Sequence, residues 1–206
     1  WMSNWNYANE VPTETWRSAM TVARTVELQK NDASYRLLFQ PVKELSNYRS
    51  IKFKKESIAI KRTEKIIDSK AIDLSSTEIN FKISDVKNSG FTFKLTNKKG
   101  DTLAFGYNNS DKNFFVDRRK SGKTGFSEKF ADRVSLAKRT SLNPDLVGTI
   151  ILDKTSIELF FDNGETVITE IFFPNSPFSE LSIESKDQEF ILGNIEIHKL
   201  NINKIK

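Results

Sequence analysis

Along residues 145–174, DLVGTIILDKTSIELFFDNGETVITEIFFP, apolar and polar positions change places every second residue. Ile157, Leu159 and Phe161 alternate with Glu158 and Phe160, the period of a strand with one buried face. Asp162-Asn163-Gly164 breaks the run with turn residues. Two registers are open. A two-residue loop at Asn163-Gly164 puts Ile157, Leu159 and Phe161 on one face with Thr166, Ile168 and Glu170. A three-residue loop, with Gly164 left-handed in a bulge, puts them with Val167, Thr169, Ile171 and Phe173. The second gives a nearly continuous apolar face and is the expected register. It requires φ > 0 at Gly164, which glycine adopts freely.

The same short period recurs along the chain. Met20, Val22, Val26 and Leu28 predict one long strand over 16–29, or two joined near Ala23-Arg24. Tyr35, Leu37 and Phe39 alternate until Pro41. Residues 42–48 carry the one helical signal, a single turn. Further strands are expected near 51–60, 66–74, 77–84, 90–97, 102–108, 113–117, 131–137, 180–186 and 189–198. Asn88-Ser89-Gly90, Lys99-Gly100, Asn108-Asn109-Ser110 and Asn143-Pro144-Asp145 punctuate them. Strands every eight to twelve residues or so, with no amphipathic helix between them, predict an all-β sandwich or barrel. No internal period suggests a solenoid or propeller. Residues 1–28 read as an extended lead-in and 29–206 as one sandwich.

Composition narrows this picture. Hydrophobic residues make up 37% of the 206, and sixteen Phe supply bulky core material. There is no cysteine, so disulfide and thiol chemistry are excluded. No apolar run approaches the ~18 residues of a spanning helix, so no membrane partner is expected. The net charge is +5, but the bases are spread among nearly as many acids. In IKFKKESIAIKRTEK, over 51–65, the lysines read as the wet face of a strand. Arg118, Arg119, Lys120 and Lys123 surround Ser121-Gly122 and read as a turn, so no nucleic-acid partner is expected. The chain opens on Trp1 with Met2 behind it, and no signal peptide is visible, as expected of a piece of something longer.

Four stretches carry a family resemblance. Asp153, Ser156, Glu158, Phe160, Gly164, Thr169 and Pro174 are spaced as in the closing segment of glycoside hydrolase family 32, the β-fructosidases: invertases, inulinases and levanases. FFVDRRKSGKTGFSEKFADR, over 114–133, resembles that family's VDR-x-x-SG stretch. WMSNWNYANEVPTETWRSAMTVAR, at the start, is similar to the segment joining the catalytic propeller to the C-terminal sandwich. Gln40-Pro41-Val42-x-Glu44-Leu45 with Arg49 is a fourth match; Ala23 departs from the usual Pro. The resemblance implies a lectin-like sandwich of two antiparallel sheets, about six strands each, and roughly three hundred residues upstream holding a five-bladed propeller.

Glycosidic hydrolysis needs two carboxylates flanking the scissile bond. In the family these lie in W-x-N-D-P-N-G, R-D-P and E-C motifs of the propeller, and none occurs in this sequence. The chain alone is therefore expected to be catalytically silent, with no cofactor and no metal. Glu158 is expected to turn away from the Ile157 face into a salt bridge or solvent. Asp117 and Arg118 are expected on opposite sides of a strand. Ile191, Ile195 and Ile197 set His198, the lone histidine, on a polar face. The resemblance places Trp1 at the rim of the fructose pocket, while Trp5, Tyr7 and Trp16 would pack the domain junction. Expected partners are the propeller of the parent chain and fructan or sucrose. Alternatives are a free-standing carbohydrate-binding module or a homodimer. The parent would be secreted or periplasmic.

Overall fold

The computed structural model describes residues 1–30, 34–68, 72–84, 86 and 89–202. After a lead-in over 1–23, β1 (Arg24–Lys30) and β2 (Tyr35–Pro41) form a two-stranded antiparallel sheet. A 3-10 turn over Lys43–Tyr48 delivers the chain into the sandwich, where the sequence predicts its one helical turn. One six-stranded sheet then has the order β12 (Thr166–Ile171), β11 (Ser156–Phe161), β10 (Leu146–Leu152), β5 (Thr77–Ile83), β14 (Phe190–Leu200), β3 (Arg49–Ile60). The other runs β4 (Thr63–Asp68), β13 (Glu180–Ser185), β6 (Phe91–Thr96), β7 (Thr102–Asn108), β8 (Asn113–Lys120), β9 (Ser135–Lys138). Every pairing is antiparallel. This is the expected sandwich of two six-stranded sheets.

Phenylalanines fill the space between the layers. Phe114 of β8 stacks flat on Phe161 of β11, ring centroids 4.0 Å apart. Phe81 of β5 meets Phe93 of β6 edge-on at 5.0 Å. Gly148 of β10 lies under the Phe81 ring, where a Cβ would come within 2.3 Å of Cζ. Aromatic pairs in such geometries add to simple area burial, so the Phe-rich composition is used as core.

The 157–171 hairpin departs from the expected register. Ile157 pairs with Glu170, Leu159 with Ile168 and Phe161 with Thr166, around a four-residue loop from Asp162 to Glu165. The apolar residues of β11 therefore share a face with Thr166, Ile168 and Glu170. The expected register assumed that β11 buries one face, but it buries both. Ile157, Leu159 and Phe161 enter the main core, while Phe160 joins Leu45, Ile151 and Leu200 in a second cluster on the outer side. Gly164 does hold φ +86°, and Asp162 and Asn163 are also left-handed.

Other boundaries shift for local reasons. No strand covers residues 16–23: Ser18 turns at φ 73°, and β1 starts only at Arg24. Of the expected strand at 66–74, β4 covers 63–68, residues 69–71 lie outside the described set, and 72–74 are not extended in a ladder. Asn88 likewise lies outside it. The strand expected at 131–137 is only Ser135–Lys138. In β14 the register slips between Gly193 and Glu196, with Asn194 at φ 48°. That bulge inverts the alternation. Leu192 and Ile195 are buried on either side of it, and Ile191 faces out.

Candidate functional site

The lead-in is irregular but anchored. A turn at Asn4 accepts the amides of Tyr7 and Ala8 at 3.1 and 2.8 Å, and the Met2 amide donates to Ala19 O at 2.9 Å. Met2, Tyr7 and Val11 are buried with Phe130, Ile171 and Phe173 in a small core at one end of the sandwich. Arg118 holds this joint. Its guanidinium lies over the Phe130 ring at 4.1 Å, donates to Ile171 O at 3.0 Å and to the Tyr7 hydroxyl at 3.3 Å, and pairs with Glu170 at 2.7 Å. A planar cation with several donors is suited to tying three segments at once. Asp117 faces the other way and holds Arg119 at 2.8 Å. Hydrogen bonds from Arg119 keep the Asp117 carboxyl below its ordinary range despite partial burial.

Trp1 sits at the mouth of this joint, 46% exposed. Its indole N–H donates to Ser18 Oγ at 2.7 Å, and the Trp5 ring is tilted against it at 5.0 Å. Beside it opens a polar cavity of about 270 Å³ lined by Asn4, Lys129, Asp132, Arg133 and Glu170 among others. Ser3 is also in the lining, and its buried hydroxyl has no hydrogen-bond partner among the described residues. Of the residues expected at the domain junction, Tyr7 is packed, whereas Trp5 and Trp16 are 86% and 44% exposed.

The acids of β11 and β12 are committed to structure. Glu158 is buried on the outer face; it accepts the Val22 amide at 2.9 Å and pairs with Arg24 at 2.5 Å. Glu170 lies on the opposite face by register, paired with Arg118. Two carboxylates so placed cannot flank one glycosidic bond. His198 is on the polar side of β14, 3.2 Å from Glu196. Lys54, first, and then His198 hold the Glu196 carboxyl below its usual range by hydrogen bonding. Among the described residues no group of three or more His, Asp or Glu is placed to hold a metal ion.

The β1–β2 hairpin supplies a feature that alternation alone could not assign. One face is fastened to the sandwich by the Arg36–Glu165 ion pair and a Gln40 bond to Asn163 O at 2.9 Å. The cross-strand pairs Val26–Phe39 and Leu28–Leu37, with Tyr35 beside Leu37, lie on the other face, which reaches the sandwich only at its inner end, where Arg24 pairs with Glu158. There Val26, Leu28, Tyr35 and Leu37 are 56%, 66%, 63% and 49% exposed. A contiguous bare apolar ladder of this kind marks an interaction surface rather than ordinary surface scatter.

The family model for the C-terminal part of glycosyl hydrolases family 32 matches residues 44–201. A levanase of Bacillus subtilis is 30% identical over the whole chain, and an extracellular exo-inulinase of Aspergillus awamori is 31% identical over 85% of it. The chain spans only 30% and 33% of those two proteins, about a third of their length. The crystal structure of exo-inulinase from Aspergillus awamori superposes with a TM-score of 0.83 at 24% identity, covering 97% of this chain and 39% of that one. A β-fructofuranosidase of Schwanniomyces occidentalis superposes at 0.76, also 24% identical, covering 97% and 44%. At that identity these two likenesses show the fold.

Proposed function

The chain belongs to glycoside hydrolase family 32, as its C-terminal domain, and on that premise we propose that it is the non-catalytic sandwich of a longer β-fructosidase acting on fructan or sucrose. The observation that carries this reading is the hairpin, tied to the sandwich by Arg24, Arg36 and Gln40, with a bare apolar ladder of Val26, Leu28, Tyr35 and Leu37 running toward its tip. The ladder is the docking face for the upstream catalytic propeller. Covering a Leu or Val side chain that is now half bare is worth ~1 kcal/mol, so Val26, Leu28 and Leu37, with Tyr35 beside them, contribute substantially to holding two domains together. The Arg24–Glu158 ion pair ties the hairpin to one sheet of the sandwich, and the Arg118–Glu170 pair joins that sheet to the other. Trp1, half exposed at the mouth of a polar cavity, forms the rim of the fructose pocket once the propeller supplies the other walls and the carboxylate pair.

Producing the upstream portion separately and mixing it with this chain tests the reading. The expected result is a stable complex that releases fructose from levan, inulin or sucrose, with no release by this chain alone. Leu28→Asp with Leu37→Asp should weaken the complex by about tenfold or more, since each substitution places a carboxylate in an apolar contact. Trp1→Ala in the complex should raise KM by about tenfold and leave assembly unchanged. Sugar turnover by the purified 206-residue chain, or a complex indifferent to the Asp pair, would overturn the proposal.

A further inference from the structure

A second cavity, of about 480 Å³, opens between the lead-in and the sandwich, away from the one beside Trp1. Its sandwich side is mixed, with Leu152, Phe173, Pro174 and Phe178 beside polar lining residues such as Thr155 and Asn175. The lead-in contributes Pro12 and Trp16, a residue 44% exposed. That segment is held in shape: the Thr13 hydroxyl donates to Trp16 O, and Arg17 donates to Asn9 O and Val11 O. The volume falls within the roughly 300–1,000 Å³ usual for small-molecule sites.

The charges around it are balanced. Glu14 and Asp153 supply two carboxylates, Lys123 and Lys154 two ammonium groups. Among the described residues, the Glu14, Lys123 and Lys154 heads have no side-chain partner. A phosphorylated or otherwise anionic ligand would call for an excess of bases. A lipid would leave four charges facing hydrocarbon. A sugar meets both demands: its C–H face stacks on an indole, and its hydroxyls donate to carboxylates while accepting from ammonium groups.

We propose that this cavity binds a neutral oligosaccharide, with Trp16 stacking on a sugar ring and Glu14, Lys123, Asp153 and Lys154 exchanging hydrogen bonds with its hydroxyls. The site is built by the lead-in and the sandwich together, and it does not depend on docking of an upstream domain. Titrating short inulin-type oligofructosides, levan-type oligofructosides and, for comparison, maltooligosaccharides into the 15N-labelled chain tests it. Amide shifts should cluster at 152–155 and 173–178 for at least one series. Trp16→Ala should weaken binding by about tenfold, and Lys154→Met, on an exposed loop side chain, by several-fold. Trp5→Ala, which alters no lining residue, should bind as the parent does. Absence of shifts with all three series would overturn the proposal, as would binding unaffected by both Trp16→Ala and Lys154→Met. Loss of binding when the separately produced upstream portion is added would overturn it too, by making the cavity part of the docking face.

Discussion

Gly164 shows how a single position fixes a corner of the molecule. It combines φ +86° with a site where an added Cβ would lie 2.1 Å from Phe39 O of the β1–β2 hairpin. Gly164→Val therefore meets two obstacles, backbone strain and a clash with main chain that cannot swing away. The expected loss is at least ~1–3 kcal/mol, read as a lowered midpoint in urea, and an unchanged midpoint would refute the account. The need for glycine was legible in the sequence as turn chemistry. The close approach of Phe39 was not, because it comes from a strand more than a hundred residues away. Next to Gly164, Asp162 is buried and left-handed, held by Arg139 at 2.7 and 3.0 Å. Burial opposes the Arg139 charge, but hydrogen bonding and attraction from Asp162 outweigh it and keep the guanidinium above its ordinary value.

Among the elements, β11 and β14 mark where pattern reading succeeds and where it stops. Both were recognisable as strands. The face of β11 was not, because a period of two reports burial only where one side is wet. Phe160, apolar at the wrong parity, was the signal that both sides are covered. In β14 the signal was Gly193-Asn194, a pair suited to a bulge that reverses parity midway. The β1–β2 hairpin was legible as alternation, but its partner across the outer face of β11 was not. Arg24 reaches over Phe160 at 5.0 Å, pairs with Glu158 and donates to Thr169 at 2.8 Å. Glu158→Ala leaves the Val22 amide without its acceptor and Arg24 with Thr169 alone. Amide exchange in β1 and β2 is then expected to speed up by about tenfold or more, with β6 and β7 unchanged. Equal acceleration everywhere, or none, would mean that the hairpin is fastened by something else.

At the scale of the whole molecule, acid is expected to undo the end of the sandwich that carries the second cavity. Asp101 is buried and accepts Asn97 Nδ2 at 2.8 Å, the Asn175 amide at 2.6 Å and Asn175 Nδ2 at 2.8 Å. Burial works against its charge, yet these hydrogen bonds prevail and its pKa lies below the ordinary 3.8. A carboxyl with a depressed folded pKa contributes stability above its unfolded pKa and loses it as pH falls through the folded value. Thermal midpoints should therefore drop below about pH 4. Asp101→Asn should be less stable than the parent at pH 7 but lose less on acidification, and parallel pH profiles for the two would contradict this. An all-β fold of short strands was readable from strand spacing, and the choice of a two-sheet sandwich over a barrel came from the family resemblance. The cavity at Trp16 was not readable, because it is assembled from loops near 12–16, 123, 152–155 and 173–178 that carry no shared local signature. The family model matches from residue 44, yet Val22 and Arg24 lie upstream of that point and roof over Phe160 and Glu158. Trimming a gene to the recognised stretch would peel away that roof, leaving a raw greasy seam with a stranded acid in its middle. The shortest self-respecting expression unit begins well ahead of the boundary that homology draws.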